Sequence, residues 1–483
     1  MGISNLGTAL LALGLSSFSA CVVNPATGSR QLTLMTEGQE IQMGLDADPG
    51  IVASMGLYPD EGLQSYVQEL GSELAARSER PDLPWTFRVL DDPLINAFAL
   101  PGGFIYVTRG ILAYLDSEAE LAGVLGHEIG HVTARHSVNQ ASKAILAQLG
   151  MGIGIALKPE LQQYEGLASA SFQLLFLKFG RDDERQSDEL GVRYMSRLGY
   201  DPARLSGVMA MLGQRSSGGE EGRPPEWLST HPNPENREEA ILEMAAMTEV
   251  AVDPPRVVHA EYLARLDGLI FGENPREGFF EGTRFLHPEM AFEMTFPQGW
   301  TTANQKTAVV GVSPEEDGLL QLKVADGTDP AAALRAFLSQ SGVQAGAQNF
   351  APLNGLPAAR ADFHIEDEGA SVDGRVTYVL QLGTLFQIAA FGTTEAWPGH
   401  ATALRGAQNS FKPLKDPAYL RLQPARLRVV TVLRSTTLGA FLEQEGASSK
   451  IQEVRVLNRL EEDPTLTAGQ ILKIPMGGPK EEP

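Results

Sequence analysis

The chain has 483 residues, 43% of them hydrophobic, and a net charge of −22. That length holds about three domains with real cores. The acidic excess, spread without an acidic tail, excludes nucleic acid as a partner and an electrostatic hold on anionic lipid; the single cysteine, Cys21, excludes a disulfide framework.

Leu6 to Leu15 is apolar and small, and Ser16-Ser17-Phe18-Ser19-Ala20 leads to Cys21. This segment resembles a bacterial lipoprotein signal, with a short apolar stretch and small residues before a cysteine. It departs from the usual pattern in having no Lys or Arg at its start and Phe18 where Leu is common. The resemblance implies a signal peptide at 1–20, lipidation of Cys21 and a linker over 21–35. Val22-Val23-Asn24-Pro25 places no Asp beside the cysteine, which by resemblance favours the periplasmic face of the outer membrane. An ordinary signal peptide releasing a soluble periplasmic protein is the alternative.

From residue 36 the pattern turns helical. Thr36 and Gln39 form a capping box, and Leu63, Val67, Leu70 and Leu74 mark an amphipathic helix. Trp85 to Leu90 alternates as a strand does. Gly102-Gly103 followed by Phe104 to Thr108 reads as a turn into a strand. Such a strand either offers an edge to an extended peptide backbone or is an ordinary buried hairpin.

His127-Glu128-Ile129-Gly130-His131 carries the chemistry. Ser117 and Glu120 predict a helix start, and Leu121, Val124, Leu125 and Ile129 supply its apolar stripe. On a helix, residues i and i+4 share a face, so His127 and His131 can hold one metal ion. Glu128 sits about 100° around that helix. A zinc ion held there lowers the pKa of water, and the carboxylate is placed to take the proton. His136 reads as a residue near the helix end, off the ligand face and favourable to the dipole. The apolar run Ala144 to Leu157 contains Gln148 and is shorter than the roughly 20 residues a membrane span needs. It reads as a segment over the site, with Glu160 to Phe179 returning the chain.

A second helix is expected from Arg181. Glu184, Asp188 and Gly191 follow i, i+4, i+7 on one face. Two histidines and a glutamate are a known zinc set. On that reading Glu184 ligates, Asp188 accepts the free N–H of a ligating histidine, and Gly191 lets the two helices approach. A solvated acidic helix start is the plainer alternative.

With those residues in hand, the chain resembles the M48 family of zinc metallopeptidases. The resemblance rests on His127 to His131 and on Glu184 to Gly191, where Ser187 stands for the usual Ala. It also rests on Asn96-Ala97-Phe98-Ala99-Leu100-Pro101-Gly102-Gly103 and on Thr230-His231-Pro232 with Arg237. It implies a mainly helical zincin-like domain over 36–275 holding one Zn2+ per chain. His127, His131 and Glu184 would be the ligands and Glu128 the base. Asp188 and Arg237 would support the ligands, and Asn96, Gly102 and Gly103 would border the substrate strand. His231 would donate to a substrate oxyanion or occupy the metal in a latent state. The substrates implied are polypeptides, possibly outer-membrane proteins.

Two units follow. Over 278–415, alternation such as Phe292, Met294, Phe296 and Val376, Tyr378, Leu380 predicts an α+β domain on a single sheet, with a helix after Asp329-Pro330. Over 424–476 the chain resembles the LysM module, a small βααβ peptidoglycan-binding fold. Ser435-Thr436 stand where that module usually has Gly-Asp, which leaves glycan contact open. The fold class expected is α+β throughout. The function expected is zinc-dependent hydrolysis of envelope proteins. A chaperone-like scaffolding lipoprotein and a peptidoglycan-directed hydrolase are the alternatives.

Overall fold

The computed structural model describes residues 21–28, 30–142, 179–218, 226–231, 236–367, 370–462 and 464–478. The proposed signal at 1–20 and the apolar run Ala144 to Leu157 lie outside the described residues.

The stretch read as a linker instead folds. β1 (Cys21–Val23) and β2 (Arg30–Leu32) pair antiparallel. Asn24 donates to the Ala134 carbonyl at 2.7 Å, and Gln31 reaches the same oxygen at 3.2 Å. Ala134 lies just past the H-E-x-x-H helix, where carbonyls lack intrahelical partners, so the amides of this short ribbon cap it.

α1 (Glu37–Met55) starts at the Thr36–Gln39 capping box, and α2 (Glu61–Ala75) buries Leu63, Val67, Leu70 and Leu74. β3 (Thr86–Leu90), β4 (Ala97–Leu100) and β5 (Phe104–Thr108) form a sheet in the order β3-β5-β4. The strand after Gly102-Gly103 is therefore central and wholly buried, and the edge beside it belongs to β4. Gly102 and Gly103 have φ of 84° and 100°, and a Cβ on Gly102 would lie 2.6 Å from Ile41 Cα. Gly102 lets the α1 main chain cross the turn, while Gly103 faces Trp85 and Leu83.

α3 (Arg109–Tyr114) leads to α4 (Glu118–Thr133), the H-E-x-x-H helix. Ser117 Oγ caps the Glu120 N–H as expected, but the Glu120 carboxylate turns to the Asp116 N–H at 2.7 Å and to the Arg459 guanidinium at 2.7 Å. α5 (Arg181–Arg197) crosses α4 at main-chain contact. A Cβ on Gly126 would sit 3.2 Å from Gly191 Cα, one on Gly191 3.1 Å from His127 N, and one on Gly130 3.0 Å from Ser187 Cα. Only glycine, with a small serine opposite, permits that approach. α6 (Arg204–Gly218), α7 (Trp227–Thr230), α8 (Arg237–Met247) and α9 (Ala260–Arg265) complete the region. The last helix ends at Arg265, and Ile270–Phe271 is a strand, β6.

The middle unit holds two sheets, not the single one expected. β7 (Phe279–Glu281), β8 (Arg284–His287) and β9 (Phe292–Thr295) belong to one. β10 (Thr301–Asn304), β11 (Val309–Val312), β12 (Gly318–Ala325), β13 (Val343–Asn349), β14 (Ala358–Asp367), β15 (Ala370–Gln381) and β16 (Thr384–Thr393) form the other, in the order β10-β11-β12-β16-β15-β14-β13. β17 (Lys412–Pro413) closes the first sheet against β9. The change of sheet falls at Pro297-Gln298-Gly299, where proline withholds a ladder donor and Gly299 takes φ 81°. The helix predicted after Asp329 is α10 (Pro330–Leu338), capped by the Asp329 carboxylate.

In the last unit β18 (Ala425–Thr431), α11 (Leu438–Glu445), α12 (Ile451–Leu457) and β19 (Ile471–Gly477) follow in order, and β18 pairs with β19. β18 also pairs with β6, so this unit shares a sheet with the helical region. The wholly buried Lys473 ammonium donates to Ala113 O, Leu115 O and Asp116 Oδ1 at 2.8–2.9 Å. Burial lowers its pKa, against the pull of Asp116. Among the described residues no helix is long and apolar enough to cross a membrane.

The α4–α5 crossing yields a prediction. Gly191→Val forces branched carbons between the helices and is expected to cost about 1–3 kcal/mol, as overpacking does. Denaturant unfolding measures it; an unchanged midpoint would mean that the helices do not depend on this contact.

Candidate metal centre

α4 buries both of its histidines. His127, Glu128 and His131 are 0–2% exposed, and so are Glu184, Asp188 and His231. A charged cluster buried this deeply is stable only if its members answer one another. His127 Nε2 and His131 Nε2 face each other at 3.0 Å. The Glu184 carboxylate lies 3.4 Å from His131 Nε2 and 3.5 Å from His127 Nε2. His231 Nδ1 approaches Glu184 Oε1 at 2.9 Å and His127 Nε2 at 3.4 Å. Donor atoms of His127, His131, Glu184 and His231 all lie within 4.8 Å of one another.

Each donor is held from behind. His127 Nδ1 lies 2.9 Å from Asp188 Oδ1. Asp188 is clamped by Arg237, through Nε at 2.6 Å and Nη2 at 2.8 Å. Burial raises the Asp188 carboxyl, but Arg237 and His127 outweigh it and hold its pKa below the usual range. Glu184 behaves likewise: burial raises it, and His231, His131 and His127 bring it well below the ordinary value. Desolvation drives His131 well below the usual imidazole pKa, which keeps a ring nitrogen free to ligate. His231 is pushed down by burial and, more strongly in sum, up by Glu184 and Glu128, so its pKa is raised.

Glu128 points its Oε1 at the Trp227 indole N–H, 3.2 Å away, and His231 Nε2 lies 3.7 Å from the same oxygen. Its other oxygen, Oε2, is buried and makes no hydrogen bond. Glu184 Oε2 is likewise without an aligned hydrogen bond, although Arg237 Nη1 stands 3.0 Å off. Imidazole nitrogens turned on one another and a carboxylate oxygen left without a hydrogen bond are what a bound cation would satisfy. Two histidines and a glutamate suit zinc.

The structure thus brings His127, Glu128, His131, Glu184, Asp188, His231 and Arg237 together. Asn96 stands apart: it precedes β4, and its side-chain oxygen is buried without a hydrogen bond. Gly102 lies under α1 and Gly103 against Trp85. Cys21 opens β1, on the ribbon against the far end of α4.

Three neighbours escaped the sequence reading. His136 is not a dipole residue. α4 stops at Thr133, Arg135 takes φ 59°, and the reversal returns the His136 ring to 3.0 Å from His131 Nδ1. Its other nitrogen bonds Gln186 at 2.9 Å, so the His131 ring is oriented by an imidazole where His127 is oriented by a carboxylate. Trp227 sits at 0% exposure behind Glu128, and Phe179 covers His131 with ring centroids 3.9 Å apart. Helical spacing finds none of these, because each arrives from a turn or another element.

Residues 61–245 match Peptidase family M48. This region is an M48 metallopeptidase. A beta-barrel assembly-enhancing protease of Yersinia pestis is 32% identical over 222 residues, 44% of this chain and 45% of that protein. The mitochondrial metalloendopeptidase OMA1 of Arabidopsis thaliana is 32% identical over 191 residues, 39% of this chain and 38% of that one. OMA1 of Schizosaccharomyces pombe is 29% identical over 244 residues, covering 67% of that protein and 47% of this chain. The chain therefore spans less than half the length of the first two relatives.

The clamp on His127 gives a prediction. Asp188→Asn removes a charge from the partner of a ligating ring and leaves its shape. Zinc affinity in competition with a chromogenic chelator is expected to fall about 10–100-fold. Parent-like affinity would mean that Asp188 serves Arg237 alone.

Proposed function

We propose that the chain is a zinc-dependent endopeptidase of unfolded or unassembled envelope polypeptides, with His127, His131 and Glu184 as its ligands. The observation that carries this is the buried donor cluster with the unbonded Glu128 Oε2 beside it. Zinc, when bound, supplies a Lewis acid that polarises the peptide carbonyl and makes water acidic. Glu128 then holds the proton of the attacking water on Oε2 and gives it to the leaving amine. Trp227 keeps the other oxygen in place through its indole N–H. Asp188 fixes the His127 ring with Nδ1–H directed at the carboxylate, which leaves Nε2 bare. Arg237 keeps Asp188 ionised, while His231, His131 and His127 do so for Glu184.

His231, seated among the donors, has the position of a fourth ligand, and in that arrangement it occupies the place a substrate carbonyl needs. We read this as a latent state, released when His231 swings toward the substrate oxygen. The choice of envelope substrates draws on the printed name of the Yersinia pestis relative, a beta-barrel assembly-enhancing protease. The lipoprotein-like sequence before Cys21 supports attachment to the periplasmic face of the outer membrane.

Glu128→Gln should keep zinc and fold while losing the proton acceptor. Cleavage of an unfolded β-barrel protein is expected to drop about 10²–10⁴-fold, and chelation should abolish it in the parent. Cleavage by the variant at the parent rate would sink the mechanism. The anchor has its own test. Cys21→Ser is expected to move the protein from the membrane pellet to the soluble fraction, since stable anchoring rests on acyl chains. An unmodified Cys21, by intact mass, in a chain that still pellets would overturn it.

A further inference from the structure

Buried side-chain atoms without a hydrogen bond gather in two places. Among the described residues there are ten; three belong to Glu128, Glu184 and Arg237 at the metal centre, and five to Arg360, Asp362, Thr377, Arg405 and Gln408 in the strand-rich unit. Polar groups left in that state are costly unless something answers them. At the metal centre a cation does so. The second group is itself cationic.

β14 and β15 bring it together. Arg360 stands opposite Thr377, and Asp362 opposite Arg375, so these four side chains share one face of the sheet. The helix Trp397–Asn409 lies on that face. Its Gln408 donates to the Arg375 and Ile388 carbonyls at 2.8 Å, and its Arg405 reaches over to Asp362. On the other side β13, the edge strand, is exposed along nearly its whole length. The Arg375 and Arg405 side chains are 18% and 42% exposed, so the cluster opens to solvent.

Three guanidiniums thus surround one carboxylate. Arg405 Nη2 donates to Asp362 Oδ2 at 3.2 Å. Arg360 is committed to uncharged partners, Asn409 Oδ1 at 3.3 Å and Ala351 O at 2.9 Å. Among the described residues the Arg375 guanidinium donates to nothing; Asp362 Oδ1 lies 3.9 Å from its Nε, beyond hydrogen-bond reach. The neighbouring Asp373 is taken by His364 at 2.9 Å. Three cations less one anion leave an excess of two positive charges, in a chain whose net charge is −22. Burial first, then Arg360 and Arg405, hold the Arg375 pKa below the usual guanidinium value against the pull of Asp362. A phosphate group carries about −1.5 to −2 at neutral pH, which cancels that excess, and its oxygens match the guanidinium fork two at a time. A single carboxylate would cancel only half.

We propose that Arg360, Arg375 and Arg405 form an oxyanion site that takes the phosphate group of a ligand, free in solution or borne on a lipid headgroup. The site goes beyond the peptidase reading and is tested by binding, not turnover. Inorganic phosphate is titrated calorimetrically into the full chain carrying Cys21→Ser, which can hold no acyl group, with chloride keeping the ionic strength constant. Saturable binding is expected, weakened about tenfold or more by Arg375→Gln and by Arg405→Gln. Asp362→Asn removes the competing carboxylate and should tighten binding, whereas a cluster serving only to hold the helix on the sheet predicts no gain. Parent-like thermal unfolding without phosphate qualifies each variant. Arg375→Lys, which keeps the charge and loses the fork, stands in for any glutamine variant that does not fold and should bind with intermediate affinity. Absence of saturable binding, binding unchanged by the arginine variants, or failure of Asp362→Asn to tighten it overturns the site. Co-sedimentation with phosphatidylglycerol vesicles separates the two sources. Given its net charge the chain is expected to stay in solution, which assigns the site to a soluble phosphate compound. Pelleting that free phosphate reverses and Arg375→Gln abolishes assigns it to a headgroup.

Discussion

Everything at the metal centre depends on how closely α4 and α5 cross. Glu184 reaches two histidines on another helix only because Gly126, Gly130 and Gly191 bring the main chains into contact. Helices separated by ordinary side chains run 8–10 Å apart. At that spacing a glutamate and two imidazoles from opposing faces meet poorly. The glycines cost helix propensity, about 1 kcal/mol each relative to alanine. The packing of a fully apolar α4 stripe against the core offsets this, with Leu121, Val124, Leu125 and Ile129 all at 0% exposure.

The close crossing creates an electrostatic debt, since it buries Glu184 and Asp188 together. Arg237 answers it from a third helix. It contacts both carboxylates, stacks 5.6 Å from the Trp227 ring, and is itself 4% exposed. Removing one member of such a set leaves an unanswered buried charge, which is far costlier than the net worth of the pair. The same side chain thus sustains fold and chemistry, and substitutions at Arg237 cannot separate the two.

Much of this was legible in the residues, and the limit has a physical form. Spacing rules worked wherever one helix carried both partners, as with His127 and His131, or Glu184, Asp188 and Gly191. Four motifs in order then identified the M48 region. The rules failed at chain reversals. His136 reaches His131 only because Arg135 adopts a left-handed conformation, and nothing in a helical projection foretells that. They failed also for sheet order: Phe104 to Thr108 reads as a strand, but alternation does not say whether a strand is central. The split of the middle unit into two sheets turns on one Pro-Gln-Gly break whose consequence is set by packing elsewhere. The turn of Glu120 toward Arg459 bridges 339 positions, far outside any local pattern.

That last contact bears on when the protein becomes functional as it is made. α4 is gripped at its start by Arg459 and Lys473 and at its end by Asn24. A ribosome exposes Asn24 long before Lys473. A nascent chain can therefore form the helix and gather the ligands, yet the carbonyls of Ala113 and Leu115 and the Glu120 carboxylate go without their partners until the α12–β19 segment arrives. Buried acceptors left in that state are expensive, so a chain stalled before Arg459 holds its metal-binding helix less firmly than one that has reached β19. That ties the settling of the site to the synthesis of a segment more than 300 positions downstream of the helix it secures.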